Sequence, residues 1–387
     1  MPYLVRVIGM EKFGVVSLIQ ALQYYFIILV DYGFSITSIK DISVAQTDRK
    51  RLSVIFCKTL STKFLLVVIS FALIIALVFM VPKFREDSEA YLLGFSLVIG
   101  QMLFPIWFFQ GIEQMKFITY LNLFSKIIFA GCLFIFVHKE SDYIWVLPIQ
   151  GLGVILASVV GIFVIISRFK IDIIFPGRKV ILSELRTGFP VFISNFSVTA
   201  YNSSNYLILG FFGGDIVLGM FSIAEKVTSL LRQILSMLSQ AIFPKVCQLA
   251  ERSHIELRKF WKKLIMPFAI ALFLMCLLIA YHSTSIVSII SGEDLTEAAN
   301  LLSLIIWVPV IVLFNIPFFL TLLAYDKKKE VMKVLLVSSI FSIIISFYLT
   351  YQFHALGTVS SLLITEFVIT FGLLFALERD KKISILT

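Results

Sequence analysis

Gly9-Met10-Glu11-Lys12-Phe13-Gly14-Val15-Val16-Ser17 and Gly214-Asp215-Ile216-Val217-Leu218-Gly219-Met220-Phe221-Ser222 share the spacing Gly-x4-Gly-x2-Ser at an offset of 205 residues. Each copy reads as a tight external turn, where glycine permits backbone geometry closed to other residues, running into a long helix. In the second copy an apolar stretch, 189–212, precedes the turn. Projected back by the same offset, its counterpart starts about 17 residues before Met1. The arithmetic predicts a repeated helical chain that lacks all but the last few residues of an original first helix.

Composition points the same way. Of 387 residues, 59% are apolar and 15% charged, with 39 phenylalanines and a mean hydropathy of +0.98. Ordinary soluble chains carry about 45–50% apolar and ~25% charged residues. A disordered chain, a disulfide scaffold and a conventional soluble enzyme are excluded, and a polytopic membrane protein is left. The four cysteines, Cys57, Cys132, Cys247 and Cys276, are scattered and read as small apolar residues rather than disulfide partners.

A helix needs about 20 mostly apolar residues to cross ~30 Å of hydrocarbon. Eleven stretches meet this, near 15–35, 64–81, 91–109, 117–137, 145–166, 189–212, 216–244, 264–284, 300–324, 331–350 and 354–377. Assigning the connecting segments to alternate sides places 25 of the 33 Lys and Arg on one side and five on the other, with Lys126, Lys226 and Arg232 inside spans. By the positive-inside rule the basic side and the C-terminus are cytoplasmic. The net charge of +9 is therefore mostly cytoplasmic loop, not a nucleic-acid surface. Eleven spans then put the N-terminus outside, which the missing first helix explains. The expected architecture is all-α: an N-terminal bundle over 1–166, a basic cytoplasmic linker over 167–188 and a C-terminal bundle over 189–387. Repeated halves around a central site are the usual plan of secondary transporters.

An ionisable residue inside a span costs roughly 2.5–3.5 kcal/mol on insertion scales, so each invites a functional reading. The candidates are Asp31, Lys126, Glu225, Lys226, Arg232 and Glu366. Glu225 and Arg232, seven apart, share a helix face, and Lys226, Gln233 and Gln240 form a second stripe at that spacing. Gln20, Tyr24 and Asp31 form a comparable stripe, as do Asn195, Thr199 and Asn202. Asn122 lies one turn from Lys126. One reading is a cavity with fixed cations and amide or hydroxyl donors, suited to an anionic, polyhydroxylated substrate. Asp31, Glu225 and Glu366 would then serve gating or ion coupling. The other reading is structural, with Glu225 bridging Arg232, Lys126 snorkelling and the amides joining helices. Both stay open on the sequence.

Two further segments stand out. Residues 40–63 carry six cations and suggest an amphipathic helix on anionic headgroups. Phe104-Pro105-Ile106-Trp107-Phe108-Phe109-Gln110-Gly111 suggests a span that ends in a proline kink and an aromatic belt. No GxxxxGK(S/T) loop, HExxH motif or Cys/His cluster is present, so neither nucleotide hydrolysis nor a metal site nor another cofactor is indicated. No catalytic residue is assigned, and the chain does not read as an enzyme.

The sequence resembles the Wzx-type O-antigen flippases, in the polysaccharide transporter branch of the MOP exporter superfamily. The resemblance rests on Pro2-Tyr3-Leu4-Val5-Arg6-Val7-Ile8-Gly9 leading to Phe13-Gly14, on Asp31-Tyr32-Gly33-Phe34, and on Pro105-Ile106-Trp107-Phe108-Phe109-Gln110-Gly111-Ile112-Glu113-Gln114-Met115-Lys116. Gly188-Phe189-Pro190-Val191-Phe192-Ile193-Ser194 and Gln240-Ala241-Ile242-Phe243-Pro244-Lys245 are similar too. Members typically have twelve spans with both termini cytoplasmic. The resemblance implies translocation of an undecaprenyl-diphosphate-linked oligosaccharide repeat unit from the cytoplasmic to the periplasmic leaflet of the bacterial inner membrane. It implies membrane lipid as a partner, with an O-antigen polymerase and a chain-length regulator as further ones. It also makes Lys126, Lys226 and Arg232 the matches to cations of the lumen. Rival readings are a multidrug antiporter, which favours an acidic aromatic cavity, a lipid II flippase, and a membrane polymerase or ligase, against which the short external loops argue.

Overall fold

The structure, a computed structural model, describes residues 2–379, the side chain of Asn202 excepted. The expectation for the basic tail after 379 and for the side chain of Asn202 lies outside the described residues. Those residues form helices and short connections without a strand, the only economical way to satisfy backbone N–H and C=O groups in hydrocarbon short of a closed barrel. The polytopic all-α fold is thus what the chain adopts. Among the described residues, eight helical stretches are long and apolar enough to cross a membrane.

Two compact units emerge, one from Val16–Ser203 and one joining residues up to Val15 to those from Ser204 onward. In the first lie the C-terminal part of α1 (Pro2–Asp31), α2 (Phe34–Val44), α3 (Arg49–Met80), the short α4 (Pro82–Glu86), α5 (Ser88–Gly94), α6 (Ser96–Leu103) and α7 (Ile106–Gly111). It continues through α8 (Met115–Phe136), α9 (Val146–Phe169) and most of α10 (Arg178–Phe212). The second holds the start of α1, the end of α10, α11 (Gly214–Arg252), α12 (His254–Tyr281), α13 (Ser283–Ser291), α14 (Thr296–Ile305), α15 (Val308–Ala324) and α16 (Lys328–Glu378).

Several spans differ from the sequence reading in extent. α3 begins at Arg49, so the basic segment is largely the polar end of a membrane helix. α10 begins at Arg178, not near 189, because its first turns are a polar extension of the same helix. The stretches expected at 331–350 and 354–377 meet at His354, whose φ of 48° breaks α16 into two legs. Across the break Thr350 and Thr358 share a 2.9 Å hydrogen bond, and Ser338, Ser342, Ser346, Ser361 and Thr365 are all buried, Ser346 donating to Asn205 of α10. The span expected at 91–109 is broken near Pro105, as anticipated. Its aromatics, however, do not form an interfacial belt. Trp107, Phe108 and Phe109 are buried and pack with Phe56, Leu121 and Ala157 in the core of the first unit. The break at Pro105 turns α7 inward, where three rings gain more from burial than from an interface.

The glycine repeat has a direct structural counterpart. Gly9 and Gly214 adopt φ of 72° and 80°, and a side chain at either would meet nothing, so their role is backbone conformation. Gly14 and Gly219 permit contact instead. A Cβ on Gly14 would fall 1.8 Å from the Asp215 carbonyl oxygen, and one on Gly219 would fall 2.3 Å from that of Met10. Met10 and Asp215 each follow the first glycine of their copy. α1 and α11 therefore cross reciprocally, each presenting the same small residue to the same backbone position of the other.

Gly14→Leu and Gly219→Leu should each lower the unfolding temperature in detergent, with the overpacking cost of about 1–3 kcal/mol or more. Gly131→Ala, where an added Cβ meets nothing within 4 Å, should leave it unchanged or raise it slightly, as a helix-interior glycine is about 0.5–1 kcal/mol worse than alanine. Thermal unfolding followed by intrinsic fluorescence checks this.

Candidate functional site

α11 carries the polar residues expected at the heart of the protein. Three turns from its start, Glu225 and Arg232 form an ion pair with each other, their side chains 11% and 22% exposed. Positions seven apart stand about 10.5 Å apart along a helix axis. Arg232 supplies most of the reach, because long helical side chains lean toward the N-terminus. The second carboxylate oxygen of Glu225 is buried without a hydrogen-bond partner. Lys226 is half-buried, and its ammonium lies 4.6 Å from the centre of the Phe13 ring. A ring face attracts a cation without neutralising it, so one uncancelled positive charge stays on this face of α11. Further along, Gln233 and Gln240 are exposed, Gln240 bonding to Ser236 at 3.3 Å.

The other stripes are less uniform. In the first unit Gln20 bonds to Gln150 across 3.4 Å, while Tyr24 is exposed. Asn195 and Thr199 are half-buried. Lys126 and Asn122 are both exposed on α8, so the structure does not bring Lys126 into a polar cluster.

Asp31 is tied down by a residue that counting charges had assigned to a loop. Lys63, 3% exposed on α3, donates to Asp31 at 3.0 Å. Around this pair the Asp31-Tyr32-Gly33-Phe34 motif receives the middle of α10: Tyr32 stacks on Phe192 with ring centres 4.8 Å apart, and Gly33 leaves room for Val191, which a Cβ would meet at 2.6 Å. Lys58 donates to both Asp41 and Glu184, at 2.9 and 2.8 Å. Arg49 pairs with Asp172. An open groove of about 440 Å³ beside α2 is lined by Lys40, Lys50, Arg51 and Lys58, yet Lys58 and Arg51 already hold carboxylates. Two of the six cations in 40–63, Arg49 and Lys58, thus bind the 167–188 segment to α3.

Glu366 is 4% exposed and accepts from the Asn315 amide at 2.9 Å. Thr370 donates to the other end of that amide. Asn315, Lys63, Phe13 and Glu184 were not singled out in the sequence. An asparagine within the apolar run 308–324 was the available signal for the first. The others become visible only through contacts distant in the chain. No cluster of metal-binding side chains occurs among the described residues.

The profile of the family described as "Polysaccharide biosynthesis protein" matches residues 1–250. The chain belongs to that family. Among its relatives, a protein of Escherichia coli (strain K12) named for O-antigen transport is 27% identical over 381 residues, covering 98% of this chain and 92% of that protein. One of Shigella dysenteriae with the same name is 26% identical over 387 residues, covering 98% and 94%. The polysaccharide biosynthesis family member also shares its fold with an inward-facing multidrug resistance MATE family transporter of the MOP superfamily, at a TM-score of 0.75 and 15% identity, over 98% of this chain and 92% of that one. A MOP superfamily transporter from Pyrococcus furiosus has a TM-score of 0.55 at 13% identity, over 98% and 95%. This protein is accordingly a multi-pass membrane member of the polysaccharide biosynthesis family with the fold of the MOP transporters.

Lys63→Met should leave the Asp31 carboxylate without its partner and destabilise by about 2–3 kcal/mol, below the full cost of a broken buried pair because Asp31 keeps some exposure. Asp31→Asn in the same chain should recover most of the lost unfolding temperature.

Proposed function

We propose that this protein is a flippase that moves undecaprenyl-diphosphate-linked O-antigen repeat units from the cytoplasmic to the periplasmic leaflet of the bacterial inner membrane. It works by alternating access between the two bundles, 1–166 and 189–387, with the C-terminus cytoplasmic. The sugar head group passes along the polar faces of the helices while the prenyl tail stays in lipid. No covalent step is needed, and the chain is a transporter rather than an enzyme.

The observation that carries this reading is the uncancelled charge of Lys226 on α11. Within a family concerned with polysaccharide biosynthesis, whose relatives are named for O-antigen transport, a fixed cation inside the membrane matches the diphosphate that joins a sugar to its lipid carrier. Gln20, Tyr24, Asn195, Asn202, Gln233 and Gln240 supply donors and acceptors for sugar hydroxyls, and Lys126 and Arg232 supply further cations. Asp31, Glu225 and Glu366 serve gating or ion coupling. The same net positive face disfavours the cationic drugs that a multidrug antiporter would take. A polymerase and a chain-length regulator act on the product after release.

Deleting the gene in its host should abolish surface O-polysaccharide and leave lipid-linked single repeat units on the cytoplasmic face. Complementation with Lys226→Ala should restore clearly less polysaccharide than wild type at equal protein level, since a hydrogen bond to a charged group contributes about 1.5–3 kcal/mol. Repeat units that reach the periplasm in the deletion strain, with only polymerisation failing, would contradict the assignment.

A further inference from the structure

We infer that Glu225 is a tethered stand-in for the substrate's phosphate: it holds Arg232 while the protein is empty and gives it up to an anionic ligand, which sets how much negative charge a substrate needs in order to bind. The inference rests on the flippase reading above and adds to it a residue that determines charge specificity.

The geometry favours exchange over a fixed staple. Ion pairs that stabilise a helix sit three or four positions apart, within one turn. Glu225 and Arg232 instead bridge two turns, with Arg232 stretched along the helix face. Glu225 is 8% exposed, and one of its oxygens is buried with no hydrogen-bond partner, so Arg232 uses only part of what the carboxylate offers. A carboxylate placed for structure alone would be satisfied on both oxygens, since an unmet buried acceptor costs about 1–3 kcal/mol. Arg232 keeps 22% of its side chain exposed, so it is not sealed from a second acceptor. Its planar fork accepts a phosphate as readily as a carboxylate.

Lys226 completes the arrangement. It adjoins Glu225 in sequence, yet its ammonium rests on Phe13 and not on the carboxylate. The cluster therefore presents net charge +1 when empty, from Lys226. A ligand that displaces Glu225 from Arg232 meets two cations but must outcompete a carboxylate held at high local concentration. A singly charged head group gains little from that exchange. A diphosphate, with charge spread over several oxygens, engages Lys226 and Arg232 together.

The test is binding of a fluorescent short-chain prenyl diphosphate carrying one N-acetylhexosamine to the purified full chain in nanodiscs, with the uncharged prenyl glycoside as control. Glu225→Gln should tighten the diphosphate probe roughly tenfold and leave the glycoside unchanged. It should also bring a monophosphate probe closer in affinity to the diphosphate. Arg232→Ala should weaken the diphosphate probe, because Glu225 then turns on Lys226, and Glu225→Gln in that background should recover part of the loss. Glu225→Met serves as a second uncharged variant where the first folds poorly. An unchanged or weaker affinity in folded Glu225→Gln and Glu225→Met, alongside normal wild-type binding, overturns the stand-in role and leaves the flippase reading intact. Wild-type protein that does not distinguish the diphosphate probe from the glycoside overturns both.

Discussion

An ionised side chain loses its hydration in hydrocarbon, and about 2.5–3.5 kcal/mol per group at a helix centre is the lower range of that cost. Most of what is distinctive here answers to it. By sequence most of the cations, 25 of 33, are expected on one side of the membrane, and several of the charges that enter the described helices are matched. Asp31 is met by Lys63, Glu225 by Arg232, and Glu366 by the amide of Asn315. Lys226 differs in kind. An aromatic ring steadies it without cancelling its charge, so the stabilisation stops short of neutrality on the helix face where a transported anion would gain most.

The backbone supplies the second layer. Gly9 and Gly214 turn the chain through conformations that other residues adopt at a cost, and Gly14 and Gly219 let α1 and α11 cross at backbone contact. That crossing lies immediately N-terminal to the Glu225, Lys226 and Arg232 cluster on α11 and includes Phe13, the ring under Lys226. Repeat and site are therefore one construction: the turn positions the helix, the close crossing brings Phe13 to it, and Phe13 holds the cation. At the other end of α1, Tyr32 and Gly33 receive Val191 and Phe192 of α10 in a similar small-residue contact.

Much of this was legible in the sequence. Hydropathy and the sidedness of Lys and Arg specify a polytopic helical chain, because the bilayer punishes every exception. The offset between the glycine motifs located the paired turns, since only glycine takes φ near 72–80° without strain. Glu225 and Arg232 could be paired by helical periodicity alone. What escaped were relationships between distant segments. Lys63 looks like a loop cation until α3 is seen to begin at Arg49. Trp107, Phe108 and Phe109 look like an interfacial belt until the break at Pro105 turns them into the core. Asn315 and Phe13 gain meaning only from the partners that the fold brings to them.

The central claim is that a lipid-linked diphosphate sugar crosses the membrane through this protein by virtue of fixed positive charge on α11. Proteoliposomes loaded with lipid-linked repeat units, and probed from outside with a membrane-impermeant lectin or periodate, measure that crossing directly. The account predicts that inner-leaflet repeat units become accessible in proportion to the protein present, and that Lys226→Ala slows this markedly while the protein stays folded. Crossing no faster than in protein-free liposomes, or equal rates for wild type and Lys226→Ala, would contradict it.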